Sequence, residues 1–259
     1  MSGRKTAGAL RLDLAGATDR GLVRAQNEDA FAFDAELRLL VVADGMGGHR
    51  AGEVASAMAV GAVAEGAKTA AVFPDEEPAG ACGPSARARA LESLIAGANA
   101  EIHRKSLKEP SCAGMGTTVA AAWVGRRSAA LAHVGDSRIY LCRGKTLSRL
   151  TRDHTWTQER VRAGAMTEAE AASSGLSNVL TRALGTEPEV KADLADEDLR
   201  AGDVLLLATD GLTKMLKDEE IAGILAAGQD AAGAAQSLVL AANAAGGEDN
   251  VTVVVARAL

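Results

Sequence analysis

Two apolar runs in this chain end in the same dipeptide. Residues 37–49 (LRLLVVADGMGGH) and 203–211 (DVLLLATDG) stay aliphatic up to the turns Asp44-Gly45 and Asp210-Gly211. Continuous runs of this kind read as strands buried on both faces, which puts their aspartates at the rim of a core. Residues 10–17, 29–35 and 37–43 are β-like runs separated by turn residues, and they predict an antiparallel meander. The alanine-rich, proline-free stretch 52–71 predicts a helix, ended by a loop carrying Pro74, Pro78, Gly80, Gly83 and Pro84. Residues 85–108 set Leu91, Leu94, Ile95, Ala98 and Ile102 at helical spacing, so a second long helix packs one face on something apolar. Strands follow at 117–124, 129–134 and 138–142, with Gly125-Arg126-Arg127 and Gly135-Asp136-Ser137 as turns.

The stretch 153–185 is polar and mostly helical in propensity, and Thr167 to Glu170 has the Thr-x-x-Glu form of a capping box. Strands near 190–194 and 204–208, helices at 218–226 and 231–244, and a last strand at 250–256 complete the chain. This order predicts the α+β class, an α-β-β-α sandwich of two mainly antiparallel sheets flanked by helices, built as one domain over residues 1–259.

Composition narrows the function. The 259 residues are 47% hydrophobic and 24% charged, which is ordinary for a soluble globular protein, but only 2% are aromatic, so the core must rely on aliphatic packing. A net charge of −6 with scattered basic residues argues against a nucleic-acid partner, whose phosphates demand a Lys/Arg surface. No leader-like segment opens the sequence and no stretch of about 18 apolar residues occurs, so the expectation is a cytoplasmic protein with no membrane contact. Cys82, Cys112 and Cys142 are odd in number and far apart, which predicts reduced thiols rather than a disulfide framework.

The chemistry lies in the carboxylates. Asp44 and Asp210 sit at strand ends, Asp249 opens the last strand within Gly247-Glu248-Asp249-Asn250, and Glu28 and Asp29 lie in RAQNEDA. Each Asp-Gly alone reads equally well as an Asx turn, and Glu28 and Asp29 as a solvated pair before a strand. Together they form an oxygen-only set suited to Mg²⁺ or Mn²⁺, and no Cys/His cluster offers Zn²⁺ a site. Hydrolysis of a phosphate monoester needs rate accelerations of up to ~10²¹. Two metals about 3.5–4 Å apart can meet that demand by activating water and neutralising phosphoryl oxygens. Arg24, four residues before Glu28, adds a guanidinium fork that matches two phosphate oxygens.

In order along the chain, RAQNED, DGMGGHRAGE, GTT, HVGDSRIY, LTRDHT, NVLTRALG, ATDGL and GGEDNVTVVV resemble the motif series of the PPM family, the metal-dependent Ser/Thr protein phosphatases of type 2C, in its bacterial form. The resemblance covers nearly the whole chain. It implies a phosphatase acting on phosphoserine and phosphothreonine through a metal-activated water, with two central Mn²⁺ or Mg²⁺ ions and a third, weaker one. Asp44 would bridge the central pair, the Gly45 carbonyl would bind the second, and Asp210 and Asp249 would hold the first. Glu28 would bind directly or through water, Arg24 would take the substrate phosphate, and Asp136 with Asp210 would hold the third ion. Residues 153–185 resemble the family's flap, a mobile element that influences substrate choice. The implied partners are phosphorylated proteins, among them a Ser/Thr kinase or its substrates, and the implied state is a monomer.

Two departures bear on mechanism. Met46 stands where some eukaryotic members carry a proton-donating histidine, which leaves His49 or a metal-bound water as the general acid. The segment ASSGLSN (172–178) is less basic than the family's flap ending and lacks proline. His133 reads as a packed core residue, His103 as inert, and His154 as a helix cap or a flap contact. Two other classes compete. A phosphoprotein-binding module would have lost a metal carboxylate, and none is missing; a two-metal nuclease would present a basic surface.

Overall fold

A computed structural model describes residues 8–47, 51–70 and 83–259. The loop prolines 74 and 78, Cys82 and His49 lie outside the described residues.

Two sheets form the centre. One runs β2 (Asp29–Asp34), β3 (Leu39–Met46), β5 (Val119–Val124), β6 (Ser128–Val134) and β9 (Asp193–Asp198), with the two-residue β4 (Gly116–Thr117) paired to the end of β3. The other runs β1 (Leu12–Asp19), β11 (Val251–Ala258), β10 (Val204–Ala208), β7 (Arg138–Arg143) and β8 (Thr146–Arg149). Every described strand pairing is antiparallel. Helices α1 (Ala51–Thr69) and α2 (Ala86–Lys108) cover the first sheet, burying Ala55, Val63, Leu91 and Ile95 against Val41 and Ala121. Helices α6 (Asp218–Ala226) and α7 (Ala231–Ala244) cover the second, burying Ile221, Leu225 and Leu238 against Leu206 and Val253. Between the sheets, Val42, Leu207 and Val254 meet Ala120, Ala122 and Ala256. Small side chains fill much of this layer, as the shortage of aromatics requires. The expected α-β-β-α sandwich is the observed fold.

Local chemistry sets the element ends. Ser85 caps α2 by accepting from the Ala88 amide at 3.1 Å, and Asp230 caps α7 by accepting from Gly233 at 2.7 Å. The capping box expected at Thr167 opens the short helix α4 (Glu168–Ser173), with Thr167 and Glu170 exchanging both bonds.

Three expectations need correction. The first three strands do not form a meander: β1 pairs with β11 in one sheet while β2 and β3 pair in the other, because pairing partners follow burial over the whole chain rather than neighbourhood. The stretch 153–185 is less helical than its propensity suggests, holding only α3 (Trp156–Arg162) and α4, with residues 174–185 irregular. Of the two roles expected of His154, the cap falls to Thr155, which accepts from Gln158, while His154 makes the contact within 153–185, its carbonyl accepting from the Thr181 amide at 2.8 Å. β8 is an additional edge strand; its TLSR sequence is mostly exposed and lacks the buried alternation that marks a strand.

Candidate functional site

Strand ends converge on one cleft. Asp29 and Asp44 are cross-strand partners where β2 and β3 meet, Asp210 begins the one-turn helix α5 (Asp210–Thr213) after β10, and Asp249 lies two residues before β11 begins at Val251. Asp136 sits in the turn between β6 and β7. Arg24, Glu28, Asp44, Gly45, Asp136, Asp210 and Asp249 all line a cleft of about 320 Å³ that opens between the two sheets. Every sequence-predicted site residue in the described part of the chain is therefore brought together, while His49 lies outside that part.

The loops that carry these groups are tied to one another. Asn250 is the main knot: its Oδ1 accepts from the Glu28 amide at 2.8 Å, and its Nδ2 donates to the carbonyls of Arg20 and Gln26 at 2.9 and 2.8 Å. This stitches the RAQNED loop to the Asp249 turn. Ser56 of α1 donates to the Glu28 carbonyl at 2.6 Å, and Gly45 donates to the same oxygen at 3.1 Å. Gly45 cannot carry a side chain, since a Cβ there would lie 2.1 Å from the Gly52 carbonyl oxygen. Gly211 is as constrained, with a Cβ position 1.9 Å from the Asn250 carbonyl oxygen. The Asp44 carbonyl accepts from Thr117 Oγ1 and the Thr118 amide at 2.8 and 2.9 Å, and the Asp44 amide donates to Thr118 Oγ1. Thr118 Oγ1 in turn lies 2.7 Å from Ser137 Oγ, beside Asp136. Backbone and hydroxyl bonds thus set the distance between the Asp44 and Asp136 carboxylates.

The electrostatics show what the arrangement lacks. Burial pushes Asp29 up to about 7, helped by Asp210 and Asp249 and opposed by hydroxyls of Thr252 and Thr209. Asp136 is pushed up to about 7 by burial, with Asp210 and Asp153 adding to it. Asp44 is raised well above the carboxylate range, first by burial and then by Asp29, Asp210, Asp136 and Asp249. Burial raises Glu28 as well. Asp29 Oδ2 accepts from Thr209 at 2.8 Å, but Asp29 Oδ1 and Asp210 Oδ1 are buried with no hydrogen-bond partner. Crowded, partly orphaned carboxylates call for cations, and an all-oxygen set of this density fits Mg²⁺ or Mn²⁺.

Two side chains supply part of that charge. Arg24, at the exposed lip, forks Asp249 with bonds of 2.9 and 3.0 Å. Lys214 places its ammonium 2.5 Å from Asp210 Oδ2 and 3.1 Å from Asp249 Oδ2. Burial works against this ammonium, but the two carboxylates outweigh it and raise its pKa. Lys214, Asn250, Thr118 and Thr209 carry no role in the sequence reading. The i,i+4 spacing of Asp210 and Lys214 was the available signal for the first; the hydroxyl contacts have none, being long-range.

Met46 lines the cleft and sits over Gly116, where a Cβ would meet Met46 Cε at 2.8 Å, so it packs beside the carboxylates. His133, His154 and Asp193 bring three ligand-type atoms within 4.8 Å, yet the two rings stack with centroids 4.7 Å and planes 17° apart. Stacked rings send their in-plane lone pairs along parallel directions, whereas a shared ion needs converging ones. Their nitrogens are also occupied: His133 Nε2 meets the Arg152 carbonyl at 2.8 Å, and His154 accepts from the Gly135 amide at 3.1 Å through Nδ1 and meets Asp193 through Nε2 at 3.3 Å. Burial, then His133 and Arg182, lower His154 to about 4, so it stays neutral and structural. A roomier cleft of about 560 Å³ between β8 and α6 is lined by Lys145, Leu147, Asp218, Glu219 and Ala222 and holds none of the sequence-predicted site residues.

The chain is similar to known proteins along most of its length. The family model described as Protein phosphatase 2C matches residues 22–243. The chain is 39% identical over 240 residues to the serine/threonine phosphatase stp of Listeria monocytogenes, covering 91% of this chain and 92% of that protein. It is 41% identical over 247 residues to the serine/threonine protein phosphatase PstP of Mycobacterium tuberculosis, covering 95% of this chain but 45% of that longer protein. Among solved structures it is similar to the catalytic domain of PstP in complex with two manganese ions, at TM-score 0.80 and 40% identity over 96% of this chain and 98% of that one. It is also similar to the serine/threonine phosphatase Stp1 of Staphylococcus aureus, at TM-score 0.86 and 32% identity over 100% of this chain and 99% of that one.

Proposed function

The chain belongs to the protein phosphatase 2C family and is a metal-dependent protein-serine/threonine phosphatase, and from that premise we propose how its own residues divide the work. The observation that carries the assignment is the carboxylate cluster itself, with its raised pKa values and two buried oxygens left without partners. Asp210 and Asp249 would hold one divalent cation, Asp44 and the Gly45 carbonyl would hold a second, and Glu28 would complete the set directly or through water. Asp136 with Asp210 would hold a third. Bound there, Mn²⁺ or Mg²⁺ supplies Lewis acidity, lowering the pKa of water and neutralising charge on the phosphoryl oxygens.

The remaining work falls to side chains. Arg24 stands 53% exposed at the lip of the cleft. Once a cation shares Asp249, its fork is available for two oxygens of the substrate phosphate. Asn250 and Thr118 keep the carboxylate-bearing loops in register, which holds the nucleophile and phosphorus aligned without reorganisation during reaction. Met46 cannot donate a proton, so His49 or a metal-bound water would protonate the leaving seryl or threonyl oxygen. The segment 153–185 forms one wall through Asn178 and Leu180 and acts as the flap that screens substrates. The substrates are phosphorylated proteins, and the opposing activity is a bacterial Ser/Thr kinase.

Phosphate release from a phosphothreonine peptide tests this reading. Activity is expected to need Mn²⁺, to vanish with chelator, and to fall by at least about 10³-fold in Asp210→Asn, a loss of the order that removing a Lewis acid entails. Arg24→Ala should raise KM, and His49→Ala should displace the basic limb of the pH–rate profile. A folded, metal-loaded wild-type protein that releases no phosphate would overturn the mechanism.

A further inference from the structure

Lys214 occupies a place that a divalent ion would also claim. It follows α5, one helical turn after Asp210, and its backbone amide donates to the Asp210 carbonyl at 2.8 Å. That turn delivers its side chain back along the helix to Asp210 Oδ2 at 2.5 Å and across to Asp249 Oδ2 at 3.1 Å. These are the two carboxylates that, on the reading above, hold a single divalent ion. An ion bound by the same two oxygens would sit about 2.0–2.2 Å from each. The ammonium and the ion would then be close neighbours of like charge, so both cannot keep this position.

Asp249 is also neutralised by the Arg24 fork, which reaches both its oxygens, Oδ2 included, whereas Asp210 has Lys214 as its cation and its Oδ1 stays buried without a partner. The ammonium therefore answers part of the charge deficit, not all of it. It also has somewhere to go. Lys214 lines a second cleft of about 230 Å³ beneath the segment 153–185, where Gln158, Glu168, Ser177 and Asn178 offer acceptors.

We propose that Lys214 is an internal competitor of the metal: a tethered ammonium that stands between Asp210 and Asp249 in the metal-free protein, keeps the acidic cleft assembled, and gives up these oxygens when the ion enters. Metal affinity in this enzyme is then a difference between two cations for one pair of carboxylates, and the chain sets its own threshold for activation by divalent ions. By linkage, whatever Lys214 contributes to the metal-free fold is subtracted from the apparent affinity for the ion.

The inference rests on Asp210 and Asp249 being ligands, and the test separates the two ideas. Mn²⁺ is titrated calorimetrically into chelator-stripped wild type, Lys214→Met, Lys214→Gln and Lys214→Arg, and thermal unfolding of each is followed with EDTA and with Mn²⁺. Removing the charge should tighten Mn²⁺ binding about tenfold and lower the melting temperature of the stripped protein, so that the rise on adding Mn²⁺ is larger than in wild type. The arginine variant should keep wild-type affinity to within a few-fold. Lys214 is 31% exposed on its side chain, so the charge-removing variants should fold, and agreement between methionine and glutamine excludes an effect of shape alone. Unchanged or weaker Mn²⁺ binding in both would overturn the competitor role while leaving the phosphatase reading intact. A wild type that binds no Mn²⁺ would bring down both.

Discussion

At the scale of single residues the site is a store of unfavourable charge. Asp29 and Asp136 are each held near 7, against about 4 in an unfolded chain. A carboxylate whose folded pKa is raised contributes stability that is complete below its unfolded value and is lost as pH rises through the folded one. The metal-free protein should therefore melt at progressively lower temperature from pH 5 to pH 8, and saturating Mn²⁺ should remove most of that slope. Asp136→Asn should flatten the slope of the stripped protein and raise its stability at pH 8 by about 1–2 kcal/mol, read from urea unfolding in EDTA. A stripped protein whose melting point rises steadily to pH 8 would contradict this picture. The cleft carboxylates were legible in the sequence because each stands beside a glycine or a strand start whose spacing has a reason. Lys214 was not, because what defines it is the distance to Asp249, 35 positions away.

At the scale of elements, the segment 153–185 is anchored at both stems. Its entry is held where the His154 amide donates to the Gly135 carbonyl at 2.9 Å, and its two arms are joined where Trp156 donates to Val179 and Thr181 donates to His154, both at 2.8 Å. Its exit is held by Asn99 of α2, a residue 1% exposed. Asn99 Oδ1 accepts from the Gly185 amide at 2.7 Å, and its Nδ2 donates to the carbonyls of Glu187 and Pro188 at 3.1 Å each. Asn99→Ala strands the buried Gly185 amide and removes the donor to two carbonyls on exposed residues, and should cost about 1–3 kcal/mol in chemical denaturation. A loss below about 0.5 kcal/mol would mean that the exit is held by other contacts. The sequence reading placed α2 and its buried face well, since Leu91, Ile95, Ala98 and Ile102 repeat at 3.6 residues. It missed Asn99 because a polar residue on that face reads as noise unless its distant partners are known. The same limit explains the irregular half of 153–185: local propensity favours helix, and pairing with Thr117 and His154 overrides it.

At the scale of the whole molecule, the two sheets meet at the acidic cleft, and neither completes the site alone. Asp44 and Asp29 come from one sheet, Asp210 and Asp249 from the other. A cation bound across them joins the layers, so metal binding should report on global stability. Mn²⁺ at a hundred times its dissociation constant should add about 2.7 kcal/mol per independent site, seen as a rise in melting temperature that follows Mn²⁺ concentration logarithmically. A melting point indifferent to Mn²⁺ would show that the folded protein does not bind the ion in preference to the unfolded chain. The sandwich was legible from the order of strands and helices, but the exchange of β1 into the second sheet was not, since strand pairing depends on burial and not on order. That exchange has a practical side. β1 and β11 lie antiparallel in full register, Leu12 opposite Ala258 and Asp19 opposite Val251. The cleft lies at the Asp19–Val251 end, and Leu12 and Ala258 lie at the other, roughly 25 Å away at about 3.4 Å per residue. An affinity tag, fluorophore or partner fused beyond Ala258 would emerge from the back of the molecule, leaving the mouth of the cleft open to a phosphoprotein of any size.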